Sequence, residues 1–141
     1  MMSTVVIPAG VVDLLRDGLR GKIVSAAQRL TSAAGQLDER EHPERYQDPL
    51  RCIYALNTLM EEIGWSTQSS DLQVDLQTHA WALIEALQDQ VSVHANMIRE
   101  SDQDDERREA LMREMIPLSI LALIVLLKTQ ARILRPTALG E

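Results

Sequence analysis

Thirteen consecutive residues without a charge, Met115 to Leu127 (MIPLSILALIVLL), constrain this chain more than any other feature. Only Pro117 and Ser119 interrupt the run of aliphatic side chains. A helix that is apolar on every side is buried on every side, by protein or by lipid. The segment therefore predicts either a core or interface helix, or a helix in contact with a membrane.

The length of this run argues against a membrane span. A span needs roughly 20 apolar residues, whereas runs of about 10–14 are more often buried core. Glu114 precedes the run and Lys128 follows it, so a longer span brings a charge into the hydrocarbon. We expect the most buried helix of a bundle, in which Leu123→Asp unfolds the protein or prevents its assembly. Peripheral membrane attachment through this helix is an alternative.

Composition limits the class of protein. The chain has 141 residues, the size of one domain, and 45% of them are apolar, without Phe and with only two Trp and two Tyr. Such an aliphatic core favours helices over strands. The net charge of −7 argues against a nucleic-acid partner. A single cysteine, Cys52, excludes an intramolecular disulfide and a cysteine-cluster zinc site.

The N-terminus lacks a signal-peptide pattern, so we expect a cytoplasmic protein. Twelve arginines against two lysines suggest a GC-rich bacterial genome.

Start and stop signals divide the chain into four helices. Asp48 followed by Pro49 is typical of a helix start, and Gly35 and Gly64 are typical of helix ends. The predicted helices cover residues 8–34, 49–63, 71–99 and 106–134, with a charged loop over 36–48. The prediction is a single all-α, four-helix bundle-like domain over residues 1–141, with long helices one and three. Its fourth helix is buried and is kinked or split by Pro117.

Before the first helix, Thr4–Ile7 is a β-prone stretch that we expect to swap or pair at an interface. Helices one and three repeat their apolar positions every 11 residues, as in Val12 and Ile23 or Leu72 and Leu83. This period predicts nearly straight helices, and we expect helix four to lie between them. Gly18 and Gly21 in helix one predict the close approach of another helix.

Carboxylates on helices two and three are the candidates for catalysis. Glu61 and Glu62 end helix two, while Glu85 and Asp89 share a face of helix three. Together they could bind Mg²⁺, which prefers oxygen ligands. Paired acids on neighbouring helices resemble the all-α nucleoside triphosphate pyrophosphohydrolases, but Trp65 stands where a third glutamate is expected. A magnesium-dependent hydrolase is therefore an alternative, set against an ordinary solvated helix surface.

Histidine and cysteine offer little further chemistry. His79 and His94 are separated by about 22 Å on one helix and cannot share a metal ion. We expect His94 to be a hydrogen-bonded core or interface residue, and Cys52 to be a small buried side chain. His42 forms a lone Glu-x-x-His pattern in the charged loop. We predict no cofactor and no metal.

Charge is unevenly distributed along the chain. No basic residue lies between Arg51 and Arg99, where six acids lie, whereas helix one carries four basic residues. These basic residues could meet the acidic surface within one subunit or across a dimer. We therefore expect, as the leading hypothesis, a non-catalytic interaction or regulatory module that self-associates as a homodimer, with a further protein partner as an option.

Overall fold

Four helices and two short strands make up the part of the chain that the computed structural model describes, residues 4–36, 44–64, 70–101, 103–130 and 132–133. In chain order they are β1 (Thr4–Ile7), α1 (Ala9–Gln36), α2 (Glu44–Ile63), β2 (Leu72–Asp75), α3 (Leu76–Glu100) and α4 (Asp105–Lys128). The predicted all-α, four-helix bundle-like fold is confirmed.

The predicted first turn of helix three is wrong, because residues 72–75 form β2. This strand pairs antiparallel with β1, with Val74 opposite Val5 and Leu72 opposite Ile7. Val5, Ile7 and Val74 are buried, so pairing satisfies the backbone and brings three β-branched side chains into the core. β1 finds its pairing partner within its own chain.

Asp75 is the residue that starts α3. Its carboxylate accepts hydrogen bonds from the backbone N–H of Gln77 at 3.1 Å and from the Thr78 hydroxyl at 2.8 Å. The bond from Thr78 is the main cause that lowers the pKa of Asp75 below its ordinary value. The ionised carboxylate is thereby held as an N-cap.

The predicted start of helix two at Pro49 is also wrong. α2 begins at Glu44 and contains Pro49 near its beginning, so residues 44–48 of the predicted loop are helical. Pro49 is the sixth residue of α2, just past the first turn, so it removes one backbone hydrogen bond and its ring crowds the carbonyl of residue 45. The end is as expected: Gly64, with φ 92°, donates its N–H to the Met60 carbonyl.

α4 continues through Pro117 and ends at Lys128. Of the predicted kink or split at Pro117, the split is therefore wrong, and so is the predicted end at residue 134. The carbonyl that loses its partner to Pro117 belongs to Arg113, whose side chain is 73% exposed. Water can reach that side of the helix and replace the missing bond. At the other end, the Asp104 side chain accepts from the Arg107 N–H as an N-cap.

The centre of the fold is the contact between α1 and α3. A Cβ added to Gly18 would lie 2.7 Å from the carbonyl oxygen of Ala86, so the two helix backbones touch there. Leu15 and Leu19 of α1 and Leu83 of α3 are fully buried around this contact. The close approach that Gly18 predicts is confirmed, whereas a side chain at Gly21 would meet only Asp89, at 3.7 Å.

The expectation that helix four is the buried hub is wrong. Because α1 and α3 touch directly, no space remains between them, and α4 packs mainly on the outer side of α3. Its buried residues are Leu111, Leu118, Leu121 and Val125. Leu123 is 59% exposed, so the reason to expect unfolding by Leu123→Asp disappears, while an effect on assembly remains to be tested.

Candidate functional site

The four predicted catalytic carboxylates do not form a metal centre in the described part of the chain. Glu61 and Glu62 are exposed at the end of α2. Glu85 forms an ion pair with Lys22 of α1, at 3.7 Å, and Asp89 lies beside Gly21. Among the described residues, no group of three or more His, Cys, Asp or Glu side chains is placed to hold a metal ion.

The ion pairs show how α1 meets the acidic surface. Lys22 reaches Glu85 within the same chain, and Arg29 reaches Asp48 of α2 at 3.6 Å. Arg16 is buried and donates from Nε to the Gly64 carbonyl at 2.8 Å, which ties α1 to the end of α2. At these positions the basic residues of α1 therefore meet α2 and α3 inside one subunit.

His94 is buried and hydrogen-bonded, as predicted. One ring nitrogen, Nδ1, lies 2.9 Å from the Gln90 carbonyl of the same helix. The other, Nε2, lies 2.8 Å from a carboxylate oxygen of Glu114 on α4. This histidine links α3 to α4, so its role in the fold is to hold α4 in place. Cys52 is buried, also as predicted.

His79 is buried near the start of α3. Burial lowers its pKa below the ordinary value of 6.5, and the carboxylates of Glu62 and Asp75 oppose that shift. Among the described residues, His79 belongs to no group of three or more His, Cys, Asp or Glu side chains that could hold a metal ion. His42 lies outside the described residues.

The exposed face of α4 is the feature that the fold leaves unexplained. Five of its large apolar side chains are 50–77% exposed: Met112, Ile116, Ile120, Leu123 and Leu127. At about 100° per residue they lie within an arc of about 80°, directly opposite the four buried residues of the helix, and the stripe is about 22 Å long. Nothing in the described part of the chain covers this α4 stripe.

A groove runs beside the α4 stripe, between α3 and α4. It has a volume of about 450 Å³. Its walls are almost entirely apolar, and Leu123 belongs both to this groove and to the α4 stripe. The residues that line it are Gln88, Val91, Ser92, Ala95, Ser119, Ala122, Leu123 and Leu126. The stripe and the groove form one continuous apolar surface, of a kind that marks interaction sites.

Charged groups bound the α4 stripe at both ends. Asp105, Glu106 and Glu109 are exposed at the N-terminal end, where Glu109 also pairs with Arg113 at 3.8 Å. Lys128 and Arg132 are exposed at the C-terminal end. Lys128 donates from Nζ to the Thr4 carbonyl at 2.8 Å and so ties the end of α4 to β1. The surface is thus apolar in the middle, carries mixed charges at the N-terminal end, where Arg107 and Arg113 are exposed near these acids, and carries basic residues at the C-terminal end.

Sequence reasoning named this helix but missed its exposed face. The signal was available, because Asp105, Ile116 and Leu127 continue at 11-residue spacing, as do Glu109 with Ile120 and Met112 with Leu123. Such a second apolar stripe, opposite the one used for packing, is typical of a helix with two partners.

By length and composition, α4 is also the one helix of the described residues that could cross a membrane. Its most apolar 18-residue window has a mean hydropathy of 2.1, and 22% of that window is buried inside the protein. Its uncharged part, Met115 to Leu127, is about 20 Å long against about 30 Å of hydrocarbon.

Comparison with known proteins finds no matching family model, no matching curated protein and no matching solved structure.

Proposed function

We propose that this protein is a non-catalytic interaction module that self-associates through the α4 stripe. The observation that supports the proposal is the exposure of Met112, Ile116, Ile120, Leu123 and Leu127 on one face of a single helix. Large apolar side chains at such spacing are how helices recognise one another. A second copy of the chain offers the same surface, and a symmetric dimer would cover both at once.

The exposed apolar side chains of the α4 stripe would supply part of the free energy of a dimer. The exposed fractions of its five side chains add up to those of about three fully exposed side chains. Full burial of one such side chain contributes about 1.5–3 kcal/mol. Covering the stripe on both copies is therefore worth roughly 9–18 kcal/mol, against an association cost of about 4–15 kcal/mol. The midpoints of these two ranges differ by about 4 kcal/mol, which is a dissociation constant of about 1 mM for the stripe alone. A dimer at micromolar concentrations therefore also requires that the partner cover the apolar groove beside the stripe.

A protein partner accounts for the charges better than a lipid surface does. Helices that lie on membranes are rich in Lys and Arg on their polar face. This chain has a net charge of −7, and the N-terminal end of α4 carries exposed Arg107 and Arg113 but also the three exposed carboxylates of Asp105, Glu106 and Glu109. Anionic lipid would repel these groups, whereas a second protein surface can place basic residues against them.

Leu123→Asp tests the proposal by size-exclusion chromatography with light scattering across micromolar concentrations. We expect the wild type to be a dimer and the variant a monomer with an unchanged far-UV circular dichroism spectrum. Loss of Leu123 from both copies removes about 2–4 kcal/mol, which raises the dissociation constant at least about 30-fold. The added charges raise it further.

Val24→Asp is the matched control, because Val24 is 55% exposed on α1 and lies outside the α4 stripe. We expect this variant to dimerise like the wild type. A wild-type protein that stays monomeric at high micromolar concentration would refute the proposed self-association. Unfolding of Leu123→Asp would show that Leu123 is part of the core instead.

Peripheral membrane attachment is the second candidate, favoured by the mean hydropathy of 2.1 in α4. Flotation with liposomes, neutral and anionic, tests it. Wild-type protein that floats, together with Leu123→Asp protein that does not, would support attachment through α4. Failure of the wild type to float on either kind of vesicle would dismiss it.

The magnesium hydrolase stays an untested prediction for Glu61, Glu62, Glu85 and Asp89. Thermal unfolding with increasing Mg²⁺, and incubation with a panel of nucleotides, test it directly. A rise of the melting temperature with Mg²⁺ that Glu85→Gln abolishes would support a metal site. The absence of both a shift and turnover would end this alternative.

A further inference from the structure

The α4 stripe is nearly symmetric about its own centre. Met112 and Leu127 are equally far from the midpoint between Ser119 and Ile120, and so are Ile116 and Leu123. Ile120 lies almost at the midpoint itself. If a second α4 runs in the opposite direction with its midpoint at the same height, each large side chain meets another large side chain of the partner. An antiparallel pair therefore matches along the whole stripe.

Charge distinguishes this arrangement from the parallel one. Asp105 and Glu109 continue the α4 stripe at its N-terminal end, and both are exposed. In a parallel pair, each of these carboxylates would face the same carboxylate of the other subunit. Like charges so close together would destabilise the dimer. In an antiparallel pair, they approach the C-terminal end of the partner helix, where Lys128 and Arg132 are exposed. In an antiparallel pair the positive end of each helix dipole also lies beside the negative end of the other, which is favourable.

The surroundings of α4 allow a second helix to approach closely. Ser119 and Ala122 of α4 and Ser92 and Ala95 of α3 give the groove beside the stripe small side chains. An 11-residue period keeps a helix nearly straight, so a stripe about 22 Å long can stay in contact from end to end. The partner helix can therefore lie over α4 and fill the groove against α3.

On these grounds we propose that two copies pair through antiparallel α4 helices, with the two-fold axis passing between Ser119 and Ile120. This inference rests on the proposed self-association through α4 and names its geometry. Met112 of one copy then faces Leu127 of the other, and Ile116 faces Leu123. Residues at the two ends of the stripe lie far from their own counterparts, whereas Ile120 lies next to its counterpart.

Single cysteines with a short bismaleimide cross-linker test this geometry. Ile120→Cys should cross-link to a dimer by itself, and Met112→Cys alone should not. Met112→Cys mixed with Leu127→Cys, after subunit exchange, should cross-link to a mixed dimer. The wild type, treated in the same way, controls for the native Cys52, which is buried.

The outcomes separate the geometry from the self-association itself. Efficient cross-linking of Met112→Cys alone, without a mixed product, would show a parallel pair and overturn the antiparallel arrangement while self-association through α4 stands. A dimer by light scattering in which none of these cysteines cross-links would place the interface elsewhere and overturn both proposals. A monomer at every concentration would also overturn both.

Discussion

Gly18→Ala measures directly how tightly α1 and α3 are packed. The new methyl group would lie 2.7 Å from the Ala86 carbonyl oxygen, 3.0 Å from Cγ of Gln90 and 3.3 Å from the Ala86 carbonyl carbon. Two of these atoms belong to the backbone of α3, so a side-chain rotation cannot relieve the contact. The helices must therefore move apart at this contact.

The magnitude follows from a comparison with Gly21→Ala in the same helix. Replacing glycine by alanine inside a helix stabilises it by about 1 kcal/mol at either position. A methyl group at Gly21 meets only Asp89 Oδ2, at the ordinary contact distance of 3.7 Å. Overpacking a core costs about 1–3 kcal/mol. We therefore expect Gly18→Ala to be less stable than Gly21→Ala by about 1–3 kcal/mol, a difference in which the helix preference cancels.

Urea unfolding followed by far-UV circular dichroism supplies the free energies of unfolding. All variants should be measured at one protein concentration, because self-association adds to the apparent stability. Gly10→Ala is a further control, since nothing lies within 4 Å of the added Cβ. Equal stability of Gly18→Ala and Gly21→Ala would refute direct contact of the two helix backbones, and with it the reason why α4 is excluded from the centre.

Two further predictions concern electrostatics. Burial lowers the pKa of His79 in the folded protein below 6.5, its ordinary value. At a pH between these two pKa values, His79 is protonated in the unfolded chain but not in the folded protein. The free energy of unfolding should therefore fall as the pH drops below about 6.5. In urea unfolding at several pH values, His79→Gln should reduce the slope of this free energy against pH. An unchanged slope would exclude His79 as its source. The Lys22–Glu85 pair, with side chains 35% and 31% exposed, should show a coupling of about 0.2–1 kcal/mol in a double-mutant cycle, and 1 M salt should weaken it. A coupling that salt does not change would mean that the pair is more shielded than the structure shows.

Local features of this fold could be read from the sequence because their causes are local. Gly64 ends α2 through a positive φ that glycine adopts easily. Asp104 caps α4 through the N–H group three residues on. His94, on an apolar stripe, was expected to find hydrogen-bond partners, although its bond to Glu114 on another helix could not be named in advance.

Two expectations about where helices begin failed. Leu72–Asp75 could have continued a helix, but β1, which lies far away in sequence, offers a strand to pair with. Pro49 looked like a helix start, yet α2 includes it. The role of the candidate carboxylates stays a prediction: Glu85 is paired with Lys22, and no group of three His, Cys, Asp or Glu side chains among the described residues is placed to hold a metal ion.

The apolar run from Met115 to Leu127 shows most clearly what the sequence determines and what only the tertiary structure decides. The amino-acid sequence alone indicates that this segment is helical and that burial of every side of it is favourable, since both follow from the chemistry of its side chains. Only the tertiary structure decides which sides the chain itself covers. Gly18 lets α1 and α3 close directly on each other, so α4 is held on the outer side of α3, and its stripe from Met112 to Leu127 stays exposed in the single chain.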